Sequence, residues 1–386
     1  MNVIASPPRS VGKSSEGAIR GAPLGNRAMR TRETNLFDPM RVVAASMVLW
    51  GHAFSLTGHP APGWFGNPVG TIGVKIFFVI SGLLITRSWL ADPRPYAYVM
   101  RRVLRIMPAL ILVVALTVMV LGPVFSDLSL HDYLRSHATR FYLWNIALYP
   151  VYALPGVFSG TPYPAAINGS LWSLPAEISM YIATPFIIGR SAEFGRLSIG
   201  IATAISIIVG LYFVRFVTID PVPVFYGSSL SSLLDVAPYF QIGALFAVFR
   251  LDRFGRPMLS LALFVISAIT LQAVSKSVNV FTVSEILLMM TLPFMVVSVG
   301  SVTVGGALGR FIARADVSYG LYLYGFPIQQ AISALWHGQI GPLGNFAIAW
   351  PITFLFALLS WKTVEQTALR IKPRRPPPRE NPNVAA

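Results

Sequence analysis

The sequence predicts an all-α polytopic membrane protein with about ten transmembrane helices and with both termini in the cytoplasm. Of its 386 residues, 54% are hydrophobic and only 12% are charged, whereas a soluble globular protein carries about 25% charged residues. The mean hydropathy is +0.62. Apolar runs close to the ~20 residues that a spanning helix needs recur along the chain. These features exclude an ordinary soluble domain.

Ten apolar runs are predicted to span the membrane. They cover residues 37–57, 70–90, 103–124, 170–190, 197–218, 230–250, 257–275, 281–303, 316–337 and 343–365. The longest connection, residues 125–169, contains an aromatic piece interrupted by prolines. Because prolines break a helical pattern, we expect a re-entrant or surface-lying segment there rather than an eleventh span.

The distribution of basic residues predicts the orientation of the spans. With a cytoplasmic N-terminus, 25 of the 30 Lys and Arg residues fall on the cytoplasmic side, as the positive-inside rule requires. The net charge of +15 could indicate nucleic-acid binding. However, the basic residues lie in short segments between apolar runs, so we expect a lipid bilayer and no nucleic acid as partner.

The two ends of the chain differ in composition from the membrane domain predicted for residues 36–366. Residues 1–35 are rich in Gly, Ser, Pro and Arg and indicate a disordered basic cytoplasmic tail, although an organellar transit peptide has a similar composition. Residues 367–386 form a Pro/Arg-rich cytoplasmic tail. The chain has no cysteine, and we find no metal-ligand spacing, so no metal is expected.

The first span carries an arginine at one end and a histidine well inside it. Arg41 and His52 are eleven positions apart, which corresponds to about 16 Å along a helix. An ionisable side chain such as His52, so far inside a membrane span, costs free energy and marks a functional site. The alternative is a histidine that hydrogen-bonds a neighbouring helix or lies in an outer vestibule.

Three arginines follow the second span. Arg102 and Arg105 are three positions apart and share a helix face, with Arg101 beside them and Tyr98 one turn before. Guanidinium groups present a fixed fork of donors that suits phosphate, so this cluster predicts a site for a phosphate-bearing ligand. The alternative is a set of positive-inside anchors.

Span four carries Glu177 at a depth comparable to that of His52. In the functional interpretation Glu177 orients the His52 imidazole and raises its basicity. In the structural interpretation a helix that begins at Pro175 places Glu177 at the third helical position, where a carboxylate caps the helix.

Other intramembrane polar groups are less specific. Asp235 and Glu285 could line the same cavity or meet Lys75, and Glu365 could pair with Arg41 or with another arginine. The residues predicted to contact substrate or to form the polar structure of the site are Asp38, Trp172, Ser173, Tyr181, Tyr319, Tyr322 and Glu365.

Four motifs in chain order resemble those of the acyltransferase family 3, polytopic membrane enzymes that acylate sugars and other acceptors outside the cytoplasm. They are Phe37-Asp38-Pro-Met-Arg41 followed by His52, the segment Gly73–Ile85, Arg102-Val-Leu-Arg105-Ile-Met-Pro108, and Leu171-Trp172-Ser173-Leu-Pro-Ala-Glu177 followed by Tyr181. The resemblance covers residues 36–366.

The resemblance implies a membrane O-acyltransferase, in the first place an O-acetyltransferase, of the bacterial inner membrane. It implies acyl-CoA as donor, above all acetyl-CoA, with its nucleotide held by Arg102 and Arg105, and a saccharide or glycolipid as acceptor. His52 would be the essential histidine, and Arg41 would also be needed. The chain departs from the family at Gly325, where the family often has a histidine, so a candidate second base is missing.

Two other functions remain open from the residues alone. A transporter or flippase of a polar or anionic solute would use the same buried charges as a permeation path. A non-catalytic scaffold or receptor would tolerate the loss of His52 and of the arginine cluster.

Overall fold

The structure, a computed structural model, describes residues 34–164, 166–189, 192–216, 222–274, 280–307, 309 and 315–373. Over these ranges the chain forms a bundle of long helices, which confirms the predicted all-α membrane fold. Residues 1–33 and 374–386 lie outside the described residues, and with them nearly all of the two predicted tails. The domain boundaries therefore stay predictions.

Within the described ranges, ten helices of 16 residues or more match the ten predicted spans. They are α1 (Phe37–Ser55), α2 (Val69–Ala91), α3 (Pro95–Leu116), α4 (Ser173–Ile188), α5 (Ala192–Phe216), α6 (Leu230–Phe249), α7 (Pro257–Val274), α8 (Val280–Gly300), α9 (Ser318–Leu335) and α10 (Pro342–Ser360). Seven helical stretches are long and apolar enough to cross a membrane, and α1, α7 and α9 are not among them. The count of ten crossings and the cytoplasmic termini stay predictions.

Helix α3 begins earlier than the sequence indicated. The predicted span began at residue 103, whereas the helix begins at Pro95 and continues through a π-helical turn, Thr117–Leu121, to Phe125. Proline suits the first helical position, because its missing N–H has no intrahelical partner there. The predicted boundary was wrong because the polar residues before 103 suggested a loop. They form the first turns of α3 instead.

The connection between α3 and α4 contains short helices, Leu130–Arg135 and His137–Tyr142, and 3-10 turns at Leu143–Ala147 and Gly169–Trp172. None of its described parts forms a helix of spanning length, in agreement with the prediction. Three two-stranded antiparallel ribbons tie helix ends together. They are β1 (Thr34–Asn35) with β6 (Thr303–Val304), β2 (Gly63–Trp64) with β3 (Asn67–Pro68), and β4 (Val224–Phe225) with β5 (Ser228–Ser229).

Helix α2 lies inside the bundle and packs closely against α6. A Cβ atom at Gly82 would collide with the Phe240 carbonyl, and one at Gly243 would collide with the Val79 carbonyl. Small residues at such positions allow membrane helices to approach each other. The close approach of α6 encloses one side of α2, so the polar side chains of α2 have to find partners within the bundle.

One of these side chains, Lys75, is fully buried in an ion-pair cluster. Its Nζ lies 3.0 Å from Asp235 Oδ1 and 3.1 Å from Glu285 Oε2. Asn67 Oδ1 accepts a hydrogen bond from Lys75 at 2.8 Å, and the Tyr239 hydroxyl donates to Glu285 at 3.2 Å. The predicted contact of Lys75 with both carboxylates is confirmed. A buried cation needs such partners, because an unpaired charge is costly away from water.

Candidate functional site

A cavity of about 700 Å³ lies between α1, α2, α3, α4 and α9. It begins at the end of the bundle where α1 and α3 start, which we call the basic end because Arg41, Arg102 and Arg105 lie there. Helix α4 runs in the opposite direction, so its first turns form the deep end of the cavity. The predicted site residues that line it are Arg41, Arg101, Arg102, Arg105, Ser173, Glu177, Tyr181, Tyr319 and Tyr322.

Arg101 is committed to a buried ion pair. Its Nη1 lies 2.7 Å from Asp92 Oδ2, and the two side chains are 2% and 1% exposed. Arg94 donates to the other carboxylate oxygen at 2.7 Å. These hydrogen bonds hold the pKa of Asp92 well below its usual range, and the hydrogen bond from Arg94 has the largest effect. Arg101 therefore fixes the short connection between α2 and α3, and its charge is already neutralised. The sequence analysis missed Asp92.

Arg105 is also paired. Its Nη2 lies 2.6 Å from Asp316 Oδ2 and its Nη1 lies 3.8 Å from Glu365 Oε2. The contact confirms the predicted pairing of Glu365 with an arginine. The guanidinium lies over the Tyr319 ring, 5.8 Å from its centroid. Arg105 thus joins α3 to the start of α9 and to the π-helical turn that follows α10.

Arg102 differs from its neighbours. Within the described part of the chain it has no carboxylate partner, whereas Arg41 pairs with Asp38 at 2.9 Å. Its guanidinium lies 5.9 Å from the centroids of the Tyr98 and Tyr181 rings. Its Nε atom is buried with no hydrogen-bond partner in the same described ranges. An unpaired guanidinium that lines a cavity is suited to bind an anion.

Glu177 faces the same cavity from α4. The helix begins at Ser173, so Glu177 is its fifth residue, and the interpretation of Glu177 as a cap on a helix that begins at Pro175 is wrong. Its Oε1 accepts hydrogen bonds from the Ser81 hydroxyl at 3.2 Å and from the Tyr181 hydroxyl. The sequence analysis did not select Ser81, although it belongs to one of the four motifs.

Hydroxyl groups gather at the deep end of the cavity. Tyr322 Oη lies 2.5 Å from Ser173 Oγ and donates to the Ser170 carbonyl at 2.8 Å. The Trp172 carbonyl next to them accepts a hydrogen bond from Ser228 at 2.7 Å. The turn before α4 is thereby fastened both to α9 and to the β4–β5 ribbon, which holds Ser173 and Tyr322 in place.

His52 lies beyond the deep end and does not line the cavity. Its ring packs edge-to-face on Phe326, with 4.9 Å between the centroids. Phe326 comes four residues after Tyr322 on α9, which corresponds to about 6 Å along the helix. Among the described residues, His52 Nδ1 has no hydrogen-bond partner and no hydrogen bond joins His52 to Glu177. The predicted cooperation of these two residues stays a prediction.

The remaining predicted residues surround the site rather than line it. The Tyr98 hydroxyl donates to the Tyr181 carbonyl at 2.9 Å and so joins α3 to α4. Asp38 pairs with Arg41, Glu365 lies near Arg105, and the Trp172 carbonyl accepts the hydrogen bond from Ser228.

Comparison with known proteins decides the family. The profile of an acyltransferase domain matches residues 35–362 of the chain. The chain belongs to the acyltransferase 3 family. The O-acetyl transferase of Shigella phage Sf6 is 30% identical to it over 350 residues, which cover 87% of this chain and 96% of the relative.

Other relatives of this acyltransferase carry different names. Nodulation protein 10 of Rhizobium leguminosarum bv. viciae is 26% identical over 364 residues, covering 88% of this chain and 94% of the relative. Regulator of hypoxia-inducible factor 1 of Caenorhabditis elegans is 27% identical over 212 residues, covering 48% of this chain and 40% of the relative. No solved structure shows significant similarity.

The protein is therefore a multi-pass membrane O-acyltransferase. The sequence prediction of an enzyme is confirmed, against a transporter and against a non-catalytic scaffold. Gly325 is the position at which the resemblance implies a histidine. A Cβ atom there would lie 2.5 Å from Leu49 Cδ1, so Leu49 occupies the space that a larger residue would need.

Proposed function

We propose that the protein moves an acyl group, in the first place acetyl, from cytoplasmic acyl-CoA to a hydroxyl of an extracytoplasmic or lipid-linked saccharide. The membrane would be a bacterial inner membrane. The observation that carries the proposal is the unpaired guanidinium of Arg102 in the same cavity as Glu177. The name of the phage relative, O-acetyl transferase, supports acetyl as the group transferred.

In this proposal the phosphates of the donor bind at the basic end. Arg105 and Arg41 are largely neutralised by their carboxylates, so the positive charge for the phosphates comes from Arg102, which forms no ion pair within the described residues. Charge-assisted hydrogen bonds to phosphate are about twice as strong as neutral ones. The nucleotide is held at the mouth, and the pantetheine arm extends along the cavity towards Glu177.

The thioester then reaches the deep end of the cavity. The hydroxyl groups of Ser173 and Tyr322 are placed there by their hydrogen bonds. Their O–H groups point to each other and to the Ser170 carbonyl, so in this proposal one of them turns to the thioester carbonyl oxygen, on which negative charge develops during acyl transfer. The hydrogen bonds from Ser81 and Tyr181 hold the Glu177 carboxylate at the same depth in the cavity as the thioester.

His52 serves as the general base for the acceptor. The acceptor oxygen attacks the thioester carbonyl carbon, the new C–O bond forms, and the C–S bond breaks. His52 takes the hydroxyl proton and returns a proton to the thiolate of CoA. Because Phe326 packs against His52, we infer that the Phe326 side chain moves when the acceptor binds. The movement would bring His52 to the thioester and to Glu177.

A single substitution tests this role. Membranes that contain the His52→Ala variant should insert the protein normally but should transfer no label from radiolabelled acetyl-CoA. His59→Ala is the matched control, because His59 is exposed and lies seven residues further along the chain. Near-normal transfer by His52→Ala would refute the role of the histidine. Solute flux without covalent labelling would favour a transporter.

A further inference from the structure

A second cavity, of about 680 Å³, lies between α3 and α4, and we call it the α3–α4 groove. Its walls include Val99 and Val103 of α3 and Ile182 and Phe186 of α4. These four side chains are among the exposed large hydrophobic residues, with Ile182 61% exposed. In a bilayer such residues face lipid, so the groove opens sideways into the membrane.

The lining of the groove is apolar or aromatic with one exception, the guanidinium of Arg102. The Tyr98 hydroxyl, which could have made the groove polar, donates its hydrogen bond to the Tyr181 carbonyl. An apolar groove with one cation in its wall suits an amphipathic ligand that has an aliphatic chain and an anionic group.

The groove and the first cavity share a wall. Arg102, Ile106 and Tyr181 line both of them, so single side chains separate the two spaces. Arg102 Nε is buried without a hydrogen-bond partner in the described part of the chain. The groove therefore adjoins the space in which the donor is proposed to bind, and it shares the arginine proposed to hold the donor's phosphates.

The dimensions of the groove fit a chain that starts at the thioester. Along α3 the lining runs from Pro95 to Met107, which corresponds to about 18 Å of helix. Along α4 it runs from Phe186 back to Ile178, with Gly189 just past the end of the helix, and Ile178 is the residue next to Glu177. A chain attached to a carbonyl group near Glu177 would thus meet the deep end of the groove.

We propose that the α3–α4 groove holds the acyl chain of the donor, so that the enzyme accepts acyl-CoA with medium or long chains besides acetyl-CoA. The inference rests on the proposed function. The donor fits both spaces at once, since its phosphates bind in the cavity and its chain lies in the groove. A bilayer phospholipid would fill the groove without using the cavity, and it is the competing occupant.

Chain-length selectivity tests the inference. Transfer from acetyl-CoA and from dodecanoyl-CoA is measured for the wild type and for Ile182→Trp, which places an indole in the groove. We expect the wild type to use both donors. Ile182→Trp should lower kcat/KM for dodecanoyl-CoA by about tenfold or more, as a blocked apolar pocket does, and should leave acetyl transfer unchanged.

Two further variants complete the experiment. Val99→Trp fills the groove from the α3 wall and should act in the same way. Ile111→Trp is the matched control, because Ile111 is a 44% exposed residue of α3 that does not line the groove. This variant should transfer acyl groups from both donors at the wild-type rate.

The possible results separate the two proposals. Acetyl transfer without dodecanoyl transfer in the wild type overturns the inference and leaves the proposed function standing. Two other results also overturn the inference and assign the groove to lipid or to packing. One is dodecanoyl transfer that is unchanged in both groove variants. The other is dodecanoyl transfer that falls only by the same factor as acetyl transfer. If neither donor is used, the proposed function fails and the inference fails with it.

Discussion

The Ser81 hydroxyl of α2 donates a hydrogen bond to the Glu177 carboxylate of α4 at 3.2 Å. Two of the motifs that identify the family, far apart in the chain, therefore meet at one carboxylate. The Tyr181 hydroxyl donates to the same oxygen, Oε1. This arrangement fixes the position of the Glu177 carboxylate inside the cavity.

Ser81→Ala should lower kcat for acetyl transfer by about tenfold or more without unfolding the protein. A hydrogen bond to a charged group contributes about 1.5–3 kcal/mol, and 1.36 kcal/mol is a factor of ten in rate. Ser88→Ala is the matched control, since Ser88 also lines the cavity from α2 but has no hydrogen-bond partner within the described ranges. Equal rates for the two variants would show that the Ser81 contact has no role in the reaction.

Replacing Arg101 should lower the stability of the protein, whereas replacing the adjacent Arg102 should raise KM for the donor. Arg101→Ala removes the buried partner of the Asp92 carboxylate and leaves it only the half-exposed Arg94, so it should destabilise the protein by about 1.5–3 kcal/mol. Arg102→Ala breaks no ion pair within the described residues and should raise KM for acetyl-CoA by roughly tenfold or more, because a charge-assisted contact with phosphate is lost. Thermal unfolding in detergent and initial-rate kinetics measure the two effects. A destabilised Arg102→Ala variant with unchanged KM would contradict the assignment.

Gly325→Ala should destabilise the protein, because the new Cβ would lie 2.5 Å from Leu49 Cδ1. Overpacking of this kind typically costs about 1–3 kcal/mol. In combination with Leu49→Ala, the loss should be smaller than the sum of the two single losses, which a double-mutant cycle measures. Additive effects of the two substitutions would mean that the residues do not compete for the same space.

Much of the fold could be predicted from the sequence because the bilayer restricts the solutions. Each of the ten apolar runs corresponds to a helix in the described residues, and Lys75 pairs with two carboxylates, as a buried cation must. Glu365 likewise found an arginine at its own end of the bundle. These predictions depend only on hydropathy and on the cost of unpaired charge.

The details of the site could not be predicted in the same way. Three arginines in one helical turn look equivalent in the sequence. Only the positions of Asp92 and Asp316 show that Arg101 and Arg105 are paired, whereas Arg102 forms no ion pair within the described residues. His52 does not line the cavity, and its ring packs on Phe326. Such packing follows from tertiary contacts that periodicity and spacing do not contain.

The side of the membrane on which the donor acts tests the central claim most directly. Radiolabelled acetyl-CoA, which does not cross the bilayer, is added to sealed vesicles of defined orientation that carry the wild-type protein and its native acceptor. Vesicles with the basic end facing the medium should incorporate label, and vesicles of the opposite orientation should do so only after permeabilisation. Equal incorporation in intact vesicles of the opposite orientation would contradict a donor site at Arg102.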